Sequence, residues 1–386
     1  MSGSLFSLPE GLRETIDVML RARGWPTTSE PERLGAMVRS LSASYNQEGV
    51  AVAGGGHAAR LGFFLVRDIP KSAWALRDLV RGGVWNAGDS VDLKVLDLGA
   101  GMGATTFGLM GCLAAHGIRG DVRATLVDAD AGALNVAAEL ARKLSFEGLR
   151  LEVSTRVGDA HAYRPAASVD LVLMGQVLSE LDQRVPAEER VAAHVRSIAE
   201  RLESSVKPHG TLCIVEPALR GRTRHLHALR DALIAGHAAT VFSPCLHSSS
   251  CPALLREEDW CHDDVDVDVP DWLIPTARAA GLRYQGLTLS YLNLRRDERT
   301  LRSMFPTELR TARATSGAIV SKGKCEGVLC GDIDAGEHRA RLRLLDKEQT
   351  EHNVAWLNLR HGDVVTFEGE PPLKGRIARD TKVHVQ

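Results

Sequence analysis

Two groups of residues in this 386-residue chain have types and spacings suited to chemistry. The first is the run Asp97-Leu98-Gly99-Ala100-Gly101-Met102-Gly103. Its glycines let backbone pass close to a ligand where a Cβ would clash, and a helix starting just after them offers free N–H groups. Downstream, Asp128 and the pair Asp159-Ala160 fall where the second and third strands of such a unit end. A carboxylate at the first point can accept both hydroxyls of a ribose, and the second point is a natural holder of an adenine edge. The second group is Cys245, Cys251 and Cys261, spaced C-x5-C-x9-C, with Cys325 and Cys330 much later. Pro244 and Pro252 stiffen the loop that carries them.

The glycine run also fits the dinucleotide fingerprint through Gly99-x-Gly101-x-x-Ala104, a weak signal by itself. Three features favour S-adenosylmethionine instead. Asp97 lies two residues before the first glycine, where it can meet a methionine amino group; the glycines alternate; and the loop follows a long helical stretch rather than opening a domain. Methyl transfer from a sulfonium needs alignment of the acceptor, and a base only when the acceptor is a poor nucleophile. The Asn/Asp-Pro-Pro-Tyr run of many nucleic-acid amino-methylating enzymes is absent after the fourth strand. Gln176, Ser179 and Glu180 stand there as candidate catalytic residues, against the plainer reading of helix capping and surface polarity. Pro244-Cys245 has the letters of a Pro-Cys nucleophile but lies beyond the fifth strand.

The seven cysteines are an odd number, which argues against a disulfide framework. Cys112 and Cys213 sit in apolar runs and read as small buried hydrophobes. Structural zinc sites use closely spaced C-x2–4-C pairs, and the tightest spacing here is the x4 between Cys325 and Cys330. An iron–sulfur cluster is larger and accepts wider spacing with a remote ligand. Spacing alone leaves a cluster, zinc and free thiols open.

The elements that must position these groups read as follows. Residues 92–98, 123–130, 149–160, 168–181 and 210–217 are strand-like, the fourth running into a helix, and 104–117, 131–145 and 186–206 are helical. Strands alternating with helices argue for a parallel, doubly wound α/β sheet. Ahead of it, 8–48 and 58–83 read as helices, with Pro70 restarting the second and a glycine-rich connector at 49–57. After about residue 314, short β-like runs are separated by Gly, Asp and Pro. Three regions are expected: helices at 1–84, an α/β domain at 85–314 that carries the cysteine loop, and a small β-rich domain at 315–386.

With 47 Lys+Arg against 49 Asp+Glu, the net charge of −2 excludes a chain-wide basic nucleic-acid binder. At 44% hydrophobic and 25% charged, the composition excludes a disordered chain, a collagen and a coiled-coil rod. Local patches remain: Arg220, Arg222, Arg224 and Arg230; then Arg295, Arg296, Arg299, Arg302, Arg310 and Arg313; then Lys374, Arg376, Arg379 and Lys382. Each suits phosphate contacts or an ordinary solvated face. Aromatics at 5% do not support a base-stacking platform. No apolar stretch reaches the ~18 residues of a membrane span. The N-terminus has neither a secretory signal nor an Arg-rich presequence, so a bacterial-type cytoplasm is expected. Oligomeric state stays open.

The run Asp97–Gly103 resembles motif I of class I S-adenosylmethionine-dependent methyltransferases. More specifically, SPCLHSSSCP with DWCH, after the fifth strand, resembles methyltransferase-like proteins of the small ribosomal subunit: the mitochondrial assembly factors and their bacterial relatives. VEPALRGRTRHLHALRDALI, SKGKCEGVLCGD and LNLRHGDVVTF agree with it, over roughly residues 55–370. The resemblance implies a Rossmann-like methyltransferase domain, S-adenosylmethionine held by Asp97, Gly99, Gly101, Gly103, Asp128, Asp159 and Ala160, and contact with small-subunit rRNA. It also implies a structural 4Fe-4S cluster on Cys245, Cys251, Cys261 and Cys330, with Cys325 as reserve ligand, zinc as the alternative metal, and His247 and His262 outside the ligand set. Two rival readings are a non-enzymatic assembly factor and a small-molecule methyltransferase with a zinc-stabilised lid.

Overall fold

A computed structural model of the chain describes residues 6, 8–45, 56–85, 90–181, 184–334, 337–369 and 375–386. Most of the glycine-rich connector (49–55), and Lys374 of the tail patch, lie outside them. The described residues form a mixed α/β protein with a parallel Rossmann-like sheet and a separate antiparallel, β-rich sheet. They group into two units, 1–216 with 266–287, and 217–265 with 288–386. This grouping does not follow the boundaries read from the sequence at 84/85 and 314/315. A linear reading cuts the chain into successive pieces, whereas packing assembles each unit from segments far apart in sequence.

The first unit begins with α1 (Leu12–Ala22), α2 (Pro31–Tyr45), α3 (His57–Ala59), a single π-helical stretch at Arg60–Phe64, and α4 (Leu65–Arg81). Pro70 lies inside α4 rather than restarting it. There follow β1 (Ser90–Leu98), α5 (Ala104–Ala115), β2 (Arg119–Asp128), α6 (Ala131–Lys143), β3 (Leu149–Val157), β4 (Val169–Gly175), α7 (Arg190–Ser204) and β5 (Val206–Pro217). The strands pair in parallel in the order β3-β2-β1-β4-β5. The chain moves outward from β1 to β3 and then returns to the other side of β1. The switch therefore lies between β1 and β4, and the crevice at the carboxyl ends of such strands is where ligands bind in open α/β sheets. The middle of α5, Thr105 to Leu113, is buried on every face, as expected of a largely apolar helix laid under a sheet. Gly108 lets α4 approach closely: a Cβ there would stand 2.6 Å from the Ile69 carbonyl oxygen.

The second unit contains α8 (Arg220–Ala235), then β6 (Thr240–Ser243), the cysteine loop, β7 (Asp263–Val265) and β8 (Leu287–Arg295), with β6 and β7 both paired to β8. Its antiparallel sheet comprises β9 (Arg310–Ala314), β10 (Ile319–Ser321), β11 (Lys324–Asp334), β12 (Glu337–Leu345), β13 (Val364–Glu368) and β14 (Lys382–Val385). The order is β10-β11-β9-β13-β14, with β12 also on β11. Trp356, Leu329, Leu344, Val365 and Cys325 are in its core. No described helix is long and apolar enough to cross a membrane.

Candidate functional site

The glycine loop is closed by backbone bonds that glycine geometry permits. The N–H groups of Gly99 and Ala100 donate to the Val127 carbonyl at 2.9 and 3.0 Å, and Gly103 donates to Ala100 at 2.7 Å. Gly99, Gly101 and Gly103 have φ of 67°, 51° and 87°, the left-handed region that other residues enter at a cost. A Cβ on Gly99 would lie 2.3 Å from Val177, so the turn after β4 rests directly on the loop. A Cβ on Gly101 would meet nothing within 4 Å and would fill open space.

Asp97 lies inside β1, opposite Leu126 of β2 and Leu173 of β4, and is 0% exposed. Its Oδ2 accepts Thr106 Oγ1 from the first turn of α5 at 2.7 Å, while its Oδ1 is buried with no partner among the described residues. Burial pushes the carboxyl up to about 7, with the Asp128 charge adding to it and Thr106 opposing it. Asp128 stands at the end of β2. Its Oδ2 takes the Gly101 N–H at 2.7 Å and its Oδ1 the Asp130 N–H at 2.8 Å. Each oxygen keeps a lone pair, so the group both anchors the loop and can still accept a hydroxyl. Asp159 caps its own turn through the His161 N–H at 2.7 Å, and Ala160 is buried.

Sequence reasoning missed what holds these parts. Arg201 of α7 is fully buried and donates to the carbonyls of Ala160, His161 and Tyr163 at 2.8, 2.5 and 3.3 Å. It pins the turn that carries Asp159-Ala160. His57 Nε2 lies 2.8 Å from Asp130 Oδ2, and Arg60 donates to the same oxygen at 3.2 Å. Asp130 in turn caps α6 through the Ala133 N–H at 3.0 Å. Thus the N-terminal helices reach the segment after Asp128. Of the candidate catalytic residues, Gln176 has φ 57° and donates its N–H to Val215 at 2.7 Å, Ser179 is half-buried and Glu180 is exposed. Glu216 of β5, buried, accepts the Leu178 N–H at 3.0 Å and so steadies the same turn.

In the second unit, Cys245, Cys251, Cys261 and Cys330 line one cavity, although Cys330 is remote in sequence. Cys325 sits instead in the core of the antiparallel sheet, its Sγ 4.0 Å from the Trp356 carbonyl. The two cysteines are five positions apart on β11, and an odd separation on a strand places side chains on opposite faces. Burial first, then the neighbouring thiols, push Cys251 to about 11, Cys330 to about 12 and Cys261 well above its ordinary range. Such thiols ionise only beside a cationic partner, which is how metal groups bind cysteine. His247 Nε2 lies 3.4 Å from Cys330 Sγ and its ring stacks on His338 at 4.6 Å. Arg230 Nε and Trp260 Nε1 are buried donors without partners among the described residues. Tetrahedral zinc with bonds of about 2.3 Å would draw sulfurs to about 3.8 Å of one another. Among the described residues, no group of three or more His, Cys, Asp and Glu side chains is arranged to hold a metal ion. The cysteines converge, then, without forming a single-ion site.

The basic patches change meaning. Arg230 is 1% exposed and donates to the His247 and Ser249 carbonyls, and Arg224 donates to those of Ala253, Arg256 and Asp259 at 3.0, 2.6 and 2.7 Å. Arg295 and Arg313 are buried, against Asp297 at 2.6 Å and Tyr291 at 2.6 Å. Arg302 and Arg310 cap carbonyls of Leu309 and Ile333 at 2.9 and 2.5 Å. Arg230, Arg295 and Arg313 are therefore buried structural groups, while Arg224, Arg302 and Arg310 are half-buried with part of each guanidinium spent on carbonyls. Arg220 and Arg296 are exposed. A carbonyl-capping arginine and a phosphate-seeking one are the same letter in sequence.

A family model described as the mitochondrial small ribosomal subunit protein Rsm22 matches residues 86–363. The chain belongs to the Rsm22 family. That match overturns the expected bacterial-type cytoplasm, because this is a family of the mitochondrial small ribosomal subunit and points to that setting. The charge pattern of a short N-terminal stretch says nothing about where the rest of a chain works, which is why the expectation failed. No curated protein matches the chain. Among solved structures, the N-methyltransferase NodS from Bradyrhizobium japonicum, with S-adenosyl-L-homocysteine, is 14% identical over 67% of this chain and 97% of its own, with a TM-score of 0.34. The plantazolicin methyltransferase BpumL is 9% identical over 72% of this chain and 100% of its own, with a TM-score of 0.36. An rRNA methylase from Streptococcus thermophilus is 10% identical over 53% of this chain and 87% of its own, with a TM-score of 0.25.

Proposed function

We propose that this Rsm22-family chain is an S-adenosylmethionine-dependent methyltransferase-like protein that acts on or binds the rRNA of the mitochondrial small ribosomal subunit. The observation that carries the cofactor reading is Asp97: a buried carboxylate with one oxygen unpaired, beside the open space at Gly101 and at the sheet's switch point. When bound, the cofactor supplies an electrophilic methyl group on a sulfonium. In this reading Asp97 takes the methionine amino group, and Gly99, Gly101 and Gly103 let the backbone approach. Asp128 accepts the ribose, and Asp159-Ala160, pinned by Arg201, receives the adenine. Gln176, Ser179 and Glu180 face the acceptor, which they align rather than activate.

The second part of the proposal is a four-iron, four-sulfur cluster on Cys245, Cys251, Cys261 and Cys330. The convergence of the four cysteines on one cavity supports it, with zinc as the alternative metal. The cluster's part is structural, since no C-x3-C-x2-C run of the radical enzymes is present.

One observation favours the non-enzymatic alternative: the Gly101 and Asp130 N–H groups already occupy one lone pair on each Asp128 oxygen, so the loop is closed without a ligand. Cofactor binding, co-sedimentation with small subunits and rRNA methylation, measured on wild type and Asp97→Ala, separate the readings. Loss of binding and of a specific methyl mark supports the enzyme. Unchanged sedimentation in a variant that binds no cofactor, with no mark lost, selects the assembly factor.

A further inference from the structure

The arginine-rich segment after β5 is a helix with one working face. Arg224, His227 and Asp231 of α8 are spaced by three and four residues, and Arg230 lies three after His227, which places them on one side of the helix. Every one of them bonds the backbone of the cysteine loop. Arg224 holds the carbonyls of Ala253, Arg256 and Asp259. The Cys261 N–H donates to His227 Nε2 at 3.1 Å, and the Cys251 N–H to Asp231 at 2.8 Å. Arg230 spans the carbonyls of His247 and Ser249, within the segment between Cys245 and Cys251, and pairs with Asp231 at 2.6 Å.

The two loop N–H groups held by this stripe, those of Cys251 and Cys261, belong to cysteines themselves. Their amides are fixed by side chains of α8 rather than by a neighbouring strand. Arg230 is the central member: it is 1% exposed, bonds two carbonyls between Cys245 and Cys251, and its Nε has no acceptor among the described residues. A cluster carrying four thiolates brings net negative charge into this buried place, and a buried anion needs a counter-charge.

We propose that the inner stripe of α8 is a positioning device for the metal group: Arg224, His227 and Asp231 hold the cysteine loop in a ligand-ready path, and Arg230 is the buried counter-charge of the thiolate set. The inference rests on the cluster reading. None of these four residues is a ligand in it. Partners that orient ligands are worth about 10- to 100-fold in metal affinity, so their loss is measurable without any activity assay.

The test uses the full chain, purified without oxygen as wild type, Arg230→Gln, Arg230→Lys and Arg220→Gln. Iron and acid-labile sulfide are quantified, the half-life of the cluster absorbance is followed under an iron chelator, and the reduction midpoint is titrated by electron paramagnetic resonance. Wild type should carry about four of each. Arg230→Gln should shorten the half-life about tenfold, and its remaining clusters should reduce at a more negative potential, because a positive charge has left. Arg230→Lys restores the charge and should return the midpoint towards wild type while leaving the half-life short. Arg220→Gln, at the exposed first residue of the same helix and without a bond to the cysteine loop, should change neither quantity. Arg230→Gln with wild-type half-life and midpoint would overturn the inference alone, as would equal losses in Arg220→Gln. Failure of Arg230→Gln to fold, with Arg230→Lys wild-type in midpoint, would still support the charge. Wild type lacking iron and sulfide would overturn the cluster reading and this inference with it.

Discussion

Replacing Asp97 by Asn tests the cofactor loop most directly. The carboxyl is wholly buried between β2 and β4 and pushed up to about 7 from 3.8, chiefly by desolvation. A separation of about three pH units corresponds to about 4 kcal/mol. The sign follows from which state holds the proton. The unfolded chain releases it near its ordinary pKa and the folded chain retains it to about 7, so folding favours the protonated form. Stability of the cofactor-free protein should therefore fall as pH rises from about 4 to about 7, and level off above that. Asparagine keeps an acceptor for Thr106 and never ionises. The stability difference between Asp97→Asn and wild type should be small at pH 4 and reach a few kcal/mol in the variant's favour at pH 8. Urea unfolding at several pH values, with and without S-adenosylhomocysteine, measures it. The ligand should stabilise wild type increasingly as the carboxylate forms, and the variant weakly at every pH. A pH-independent difference between the two proteins would refute the account of a buried, unpaired carboxylate. Equal ligand stabilisation in both would refute its pairing with the amino group.

Other substitutions separate folding from binding. Gly99→Ala drives a Cβ to 2.3 Å from Val177 at φ 67°, so thermal unfolding should show a loss of about 1–3 kcal/mol. Gly101→Ala should cost about 1–2 kcal/mol in stability, from its left-handed backbone rather than a clash, yet isothermal titration should show at least tenfold weaker cofactor binding. Arg201→Met removes three bonds to the turn at Ala160–Tyr163; cofactor affinity should fall about tenfold while hydrogen exchange quickens in that turn. Cys330→Ser should abolish iron retention, and Cys325→Ser should lower stability without changing iron content, as metal analysis of the two proteins would show.

The sequence by itself determined the local elements and the kinds of chemistry. Apolar runs ended by glycine set β1 and its loop; alternation of strand and helix set a parallel sheet; and Asp97, Asp128 and Asp159 could be placed within or just beyond the last residues of successive strands because strand periodicity and turn residues are local properties. The cysteine spacing marked out a loop, with a cluster, zinc and free thiols all left open. Three matters required tertiary structure. Cys330 joins the cavity of Cys245, Cys251 and Cys261 because β11 turns that face towards it, and Cys325 turns away into the Trp356 core. Arg201, His57 and Glu216 act on loops distant in sequence, and nothing near them in the chain signals it. The arginines that read as an RNA patch on α8 divide into an inward stripe and an exposed remainder, because what a charged side chain does depends on which carbonyls or solvent its helix face meets. Periodicity is written in neighbours along the chain, whereas burial and partnership belong to neighbours in space.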